Sequence, residues 1–247
     1  DAALRERALP EVACALAGPG ARVIDHRTTL VQWVPELRAC ARIDLSVLAA
    51  EATTPQQYSL YVKADLEQDG AVLHGVLQAL RASPAAADGR LHTAAPLLWQ
   101  SATGLHWQHA LRGEPLSDVE PHPGPATAAL LGTQLAALHN TPVPSPARLD
   151  AALLATRIDS AQRLLVDVDP GLHRWLAPLV RCLSAALPVL AAASQATLHG
   201  DLHAGNLLVD GHHLSFIDLD AVTRGPAVCD LGDWLGTALY QAALDGR

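Results

Sequence analysis

The chain has 247 residues, half of them hydrophobic, with 17 Lys+Arg against 25 Asp+Glu and a formal net charge of −8. That length holds one large or two small domains with a sizeable core. The acidic balance argues against nucleic acid as the main partner and suits a cationic small molecule. Residues 1–17 read as a helix with Leu4, Ala8, Val12 and Leu16 near one face, ended by Gly18-Pro19-Gly20. Three β-type runs follow, Arg22–Val34, Ala39–Leu48 and Gln57–Lys63, with turns at Pro35-Glu36 and Thr53-Thr54-Pro55. They predict an antiparallel sheet, with Lys63 closing an apolar strand.

A helix is expected over 69–82 from the spacing of Val72, Val76, Leu77 and Leu80, then an Ala/Pro/Gly linker over 82–90. Two further strands, 94–99 and 104–110, complete a five-stranded sheet. Trp107 on the second fits either a core position or a pocket wall. Residues 120–125 read as loop, and 126–140, 147–166 and 170–193 as helices. Leu176–Ala193 is interrupted by Arg181, Ser184 and Pro188, so no membrane span and no signal peptide is expected. Cys14, Cys40, Cys182 and Cys229 are scattered without a C-x-x-C pair, which predicts reduced thiols in a cytoplasmic protein.

The chemistry concentrates near the C-terminal end, in Leu198-His199-Gly200-Asp201 and the residues after it. Asn206 stands five positions beyond Asp201. Leu207-Leu208-Val209 reads as a short strand, Asp210-Gly211 as a hairpin turn, and Leu214–Ile217 as the return strand that delivers Asp218. A carboxylate to take a hydroxyl proton, with an amide oxygen and a second carboxylate to hold magnesium, is a set that phosphoryl transfer needs. Asp220 reads either as a further metal-site acid or as a solvated loop residue.

This H-G-D-x-x-x-x-N pattern, followed by a strand and Ile217-Asp218, resembles the aminoglycoside phosphotransferase and choline kinase family. Arg112-Gly113-Glu114-Pro115-Leu116, Leu131-Gly132 through His139, and Gly225-Pro226 through Leu231 are similar to further family motifs. The resemblance implies an α+β, two-lobed protein-kinase-like fold, with a nucleotide-binding lobe over 1–110 and a helical catalytic and acceptor-binding lobe over 111–247. It implies an ATP- or GTP-dependent phosphotransferase acting on a hydroxyl of a small molecule such as an aminoglycoside, amino alcohol or sugar. Asp201 would be the catalytic base, and Asn206 and Asp218 the Mg²⁺ ligands. Lys63 would hold the nucleotide phosphates, and the backbone around Gln108, His109 and Ala110 would bind the adenine. Asp230 would brace the catalytic loop, and Asp233-Trp234 would open the last helix.

His199 is expected to support the loop, and His203 is placed to approach the phosphates. Arg38 and Arg42 could help there, because the turn between the first two strands lacks a G-x-G-x-x-G. Asp150, Asp159, Asp167 and Asp169 are acids that could attract a cationic acceptor. The family helix after the lysine strand supplies a glutamate, but this chain has Leu73 and His74 there, leaving Glu67 or Asp69 as substitutes. With no methionine and only 17 residues after Asp230, the given chain is expected to lack helices that family members carry. Two alternatives stand beside the kinase reading. One is a nucleotide-binding protein that has lost turnover. The other is a metallohydrolase using His199, His203, Asp201 and Asp218, disfavoured because Gly200 and Gly205 oppose a regular helix.

Overall fold

The computed structural model describes residues 7–65, 70–121, 123–144, 147–244 and 246. Contacts divide the chain into two compact units, one of residues 1–144 and 203–220, the other of 145–202 and 221–247.

The first unit is built on a five-stranded antiparallel sheet. Its strands are β1 (Arg22–Val34), β2 (Arg38–Leu48), β3 (Gln56–Asp65), β4 (Pro96–Gln100) and β5 (Leu105–His109), in the order β1-β2-β3-β5-β4. Residues 35–37 close the first hairpin, and Glu36 takes a φ of 62° there. Helix α1 (Leu9–Ala17) starts with Pro10 in its first turn, where the missing N–H costs nothing. Its Leu9, Val12 and Ala13 fall on one face and pack with Ile43, Leu45, Leu60, Val62 and Trp107 from β2, β3 and β5. Trp107 is therefore a core residue. Its indole donates to Gln100 Oε1 at 2.7 Å, and Gln100 in turn donates to Ala8 O at 3.1 Å. That chain of bonds satisfies the polar groups the core encloses.

Helix α2 (Gly70–Arg81) buries Leu73, Val76, Leu77 and Leu80 and packs on β4 and β5. The expected linker contains a short helix, α3 (Pro84–Ala87), because the Ser83 hydroxyl accepts from the Ala86 N–H at 3.2 Å and Pro84 follows as first helical residue. After β6 (Glu114–Pro115) come α4 (Leu116–Val119) and α5 (Pro125–His139).

The second unit holds the helices α6 (Ala151–Val168) and α7 (His173–Ala192), packed on each other. Strand β7 (Gln195–Leu198) pairs with a later strand of this unit. By length and composition Pro170–Ala192 is apolar enough to cross a membrane, with a mean hydropathy of 1.6 in an 18-residue window. This departs from the expectation of no such run, because the charged residues are too few to lower the average of that window. A single helix of this kind discriminates weakly between a membrane segment and a helix of a soluble protein.

Two of the four acids considered for an acceptor site are helix caps. Asp150 accepts from the Leu153 N–H at 2.9 Å, and Asp169 accepts from the Gly171 N–H at 2.8 Å. Asp159 and Asp167 are exposed.

Candidate active site

In the first unit β3 delivers Lys63, paired across the sheet with Cys40 on β2 and His106 on β5. It is the only lysine in the chain. The strands β8 (Leu207–Asp210) and β9 (His213–Phe216) form the expected hairpin, with Leu207 opposite Phe216. The Ile217 N–H donates to Asn206 O at 3.0 Å, which extends the ladder by one pair and sets Asp218 beside Asn206. Asp218 has a φ of 55°, a left-handed conformation that aspartate tolerates better than most residues. Asn206 is buried at the end of a 3₁₀ turn, Ala204–Asn206, which His203 caps by accepting from the Gly205 N–H at 3.1 Å.

Lys63 Nζ lies 2.6 Å from Asp218 Oδ1 and 2.7 Å from Asp220 Oδ1. Burial by itself pushes the ammonium down. The negative charges of Asp220 and Asp218 outweigh it and hold Lys63 above the usual lysine range. Asp220 is thus a partner of the lysine, and no local pattern in the sequence signals this. Glu67 and Asp69 lie outside the described residues. The described part of α2, Gly70–Arg81, carries no carboxylate. Gly113 has a φ of 114°, and a Cβ there would stand 2.5 Å from Val209 O, where β6 pairs with β8. Only glycine permits that approach.

In the second unit β7 runs into His199-Gly200-Asp201. β10 (Thr223–Pro226) pairs antiparallel with β7, and α8 (Val228–Leu244) follows. The last helix therefore begins at Val228 and not at Asp233-Trp234, which puts Asp230 in its first turn. Asp230 is fully buried and accepts the His199 N–H at 2.9 Å and the Gly200 N–H at 3.0 Å. Gly200 has a φ of 81°, and a Cβ on it would meet Ala221 O at 2.2 Å. The glycine between His199 and Asp201 is thus a steric requirement. Asp233 on α8 is pushed up to about 6, by burial first and then by repulsion from Asp230 and Asp201, against the attraction of Arg157.

The backbone N–H groups of His109 and Ala110 donate to Ala95 O at 2.8 Å and Ser59 O at 2.9 Å. Gln108 is buried on β5 opposite Tyr61. Arg42 is engaged by Asp44 at 3.1 Å, and Arg38 is exposed at the start of β2.

His106 stands opposite Lys63, is 1% exposed, and lies 5.6 Å from His74 in a T-shaped ring contact. Among the described residues neither of its ring nitrogens has a hydrogen-bond partner. Burial, with smaller repulsions from His74 and Lys63, pushes its pKa down to about 3. The folded state therefore holds His106 neutral. Its contribution is intact above the unfolded value near 6.5 and is lost as pH falls from there towards 3. Between pH 6.5 and 5 this loss amounts to roughly 2 kcal/mol at 1.36 kcal/mol per pH unit. His106→Phe is expected to remove that acid limb while costing little at pH 7, because an unpartnered polar group leaves the core. Urea titrations at pH 7 and pH 5 check this. The stability difference between variant and wild type should widen at the lower pH.

A family model described as the phosphotransferase enzyme family (APH) matches residues 63–246. The chain belongs to this family. The match opens at Lys63 itself and takes in the hairpin, Asp201 and Asp230. A comparison with curated proteins finds no match. Among solved structures, a choline/ethanolamine kinase family protein from Mesorhizobium loti is 20% identical with a TM-score of 0.55, covering 89% of this chain and 66% of that one. A thermostable mutant of aminoglycoside phosphotransferase APH(4)-Ia, in complex with ADP and hygromycin B, is 13% identical with a TM-score of 0.54, covering 97% and 82%. Choline kinase LicA from Streptococcus pneumoniae is 13% identical with a TM-score of 0.53, covering 87% and 70%. At these identities the likeness shows the fold, which is α+β and protein-kinase-like. The chain spans just under two thirds of the first of these relatives, at 66% of its length. Among the described residues no group of three His, Cys, Asp or Glu gathers as a metal cluster.

Proposed function

We propose that this phosphotransferase moves the γ-phosphoryl group of ATP or GTP to a hydroxyl of a small molecule. One observation supports the reading most. The only lysine of the chain is held at 2.6 Å from Asp218, and Asp218 is set beside Asn206 by the β8–β9 ladder. This joins a cation for phosphate oxygens to two hard oxygen donors in a chain whose family match begins at that lysine.

The donor set suits Mg²⁺, which takes one or two carboxylates plus phosphate oxygens and keeps several waters. Asn206 Oδ1 and Asp218 would hold the ion, and the ion would neutralise charge on the transferring phosphoryl group. Lys63 binds the phosphates, and its pairing with carboxylates keeps it protonated for that task. The backbone near Gln108, His109 and Ala110 flanks the nucleobase. Asp201 accepts the proton of the acceptor hydroxyl as the oxygen attacks. Gly200 and the Asp230 clamp fix the backbone from which Asp201 projects.

The relatives' ligands, ADP with hygromycin B in one case, are in keeping with a nucleotide and a small hydroxylated acceptor. The −8 charge suits a cationic acceptor. A cytoplasmic setting agrees with Cys14, Cys40, Cys182 and Cys229 being free thiols. A binding protein without turnover is the second reading, because α2 presents no acid to Lys63 among its described residues.

Thermal unfolding with Mg-ATP, Mg-GTP and EDTA tests the proposal. A nucleotide at about a hundred times its Kd should stabilise by roughly 2.7 kcal/mol, a Tm shift of roughly 5–10 °C for a chain of this size. EDTA should abolish it. No shift with either nucleotide overturns the reading. A shift without phosphorylated product from any hydroxylated acceptor selects the second one.

A further inference from the structure

Two glutamines are buried in the sheet of the first unit, and their amides differ. Gln100 on β4 is bonded at both ends, accepting from the Trp107 indole at 2.7 Å and donating to Ala8 O at 3.1 Å. Gln108 on β5 is 8% exposed and has no side-chain hydrogen bond among the described residues. Its amide atoms are not sealed off, as Oε1 of the buried Gln134 is. A carboxamide enclosed to that degree needs partners for two N–H groups and an oxygen. Open at its tip and without a protein partner, it is set to bond to a ligand.

Its position says which ligand. Trp107 points into the core under α1, so its neighbours His106 and Gln108 lie on the opposite face of the sheet. That is the face of Lys63, because Lys63 pairs with His106 and Tyr61 with Gln108. The two pairs stand about 7 Å apart along the strands, at about 3.4 Å per residue. With the phosphates at Lys63 and the base beside the backbone of 108–110, a ribose spans that offset. The Gln108 amide then meets the edge of the purine.

We propose that the Gln108 side chain reads position 6 of the purine and serves ATP and GTP alike. The carboxamide oxygen accepts from the 6-amino group of adenine. Turned over about its last torsion, the same group donates from its NH₂ to the 6-oxo group of guanine. An aliphatic side chain, or one that only accepts, could not serve both. The inference rests on the phosphotransferase reading for the place of the nucleotide and deepens it by naming both purine nucleotides as phosphoryl donors.

Calorimetric Kd values of Mg-ATP, Mg-GTP and Mg-ITP on the wild type, Gln108→Glu and Gln108→Met test it. In the wild type ATP and GTP should bind within about fivefold of each other, since each finds its partner atom. Gln108→Glu at pH 8.5, where the ionised carboxylate only accepts, should keep ATP within about threefold and weaken GTP at least about tenfold. ITP, which has the 6-oxo group but no 2-amino group, should follow GTP. Gln108→Met should weaken ATP and GTP by a similar factor, roughly three- to tenfold. A wild-type preference above about thirtyfold for either nucleotide overturns the proposal, because one hydrogen-bonding end would then be unused. So does an ATP-to-GTP ratio unmoved by Gln108→Glu, or a loss of GTP binding that ITP does not share. Where Gln108→Glu does not fold, purine riboside triphosphate, which lacks a 6-substituent, decides with Gln108→Met. The advantage of ATP over it should shrink at least about threefold from wild type to Gln108→Met, and an unchanged advantage overturns the proposal. A wild type that binds none of these nucleotides overturns the phosphotransferase reading itself. Nucleotide binding with an unmoved ratio overturns this inference alone.

Discussion

Asp201→Asn is expected to lower phosphoryl transfer about 10³-fold, within the range of 10² to 10⁴ that a positioned general base supplies, while nucleotide Kd changes less than about threefold. Asparagine keeps the shape and one acceptor oxygen of aspartate, so it can still orient a hydroxyl, but it cannot take the proton. The loop backbone at His199 and Gly200 is fixed through their N–H groups by Asp230. The turn at Gly200 is fixed by its 81° φ. Lys63, Asn206 and Asp218 are ordered by the sheet and by the β8–β9 hairpin of the other unit. Product formation on an acceptor turned over by the wild type, with calorimetry of Mg-ATP on both proteins, separates the two quantities. Transfer within tenfold of the wild type would remove Asp201 from the role of base. Equal losses in transfer and nucleotide affinity would make it a binding residue.

The parts of this site that are legible in the sequence are those determined by short-range chemistry. Asp210-Gly211 between apolar runs specifies a turn, and the turn sets the register that carries Asp218 back to Asn206. Lys63 at the end of an apolar strand is legible for the same reason. The pairing of Lys63 with Asp220 spans 157 positions and depends on how β3 and the segment after β9 meet, which no local pattern encodes. Asp69 and Glu67, the acids just before α2 in sequence, look the better substitutes on spacing alone. The start of α8 departs from expectation because Asp233-Trp234 reads as a helix opening, whereas the Gly225-Pro226 stop lies about two turns earlier and Asp230 is already helical. In sequence Asp150 and Asp169 resemble solvated acids, although each precedes a helical run in the position favoured for aspartate. His106 gives no sign of burial, since a histidine in an alternating strand points either way until the opposite face is known.

Asp230→Ala is expected to destabilise the protein by about 3–5 kcal/mol, the second large effect, through two backbone groups and not through a lost contact with substrate. Asp230 is fully buried and both of its oxygens are used, one by the His199 N–H and one by the Gly200 N–H. Truncation leaves two enclosed donors without acceptors, each costing about 1–3 kcal/mol. Asp230→Asn keeps one acceptor and turns an NH₂ group towards the other donor, so about half the loss is expected. Removing the Asp230 charge also relieves Asp233, whose pKa near 6 reflects repulsion from Asp230 and Asp201 after burial. Asp233 is charged above that pH and neutral below it, so relief is present at pH 7.5 and absent at pH 5. The cost of Asp230→Ala should therefore be larger at pH 5. Asp233 is only partly desolvated and keeps contact with solvent, so screening keeps the difference below about 1 kcal/mol. Urea titrations of wild type, Asp230→Ala and Asp230→Asn at both pH values read these quantities. A loss under about 1 kcal/mol for Asp230→Ala, less than one unsatisfied donor costs, would mean that the two N–H groups find other acceptors and that Asp230 does not brace the turn carrying Asp201.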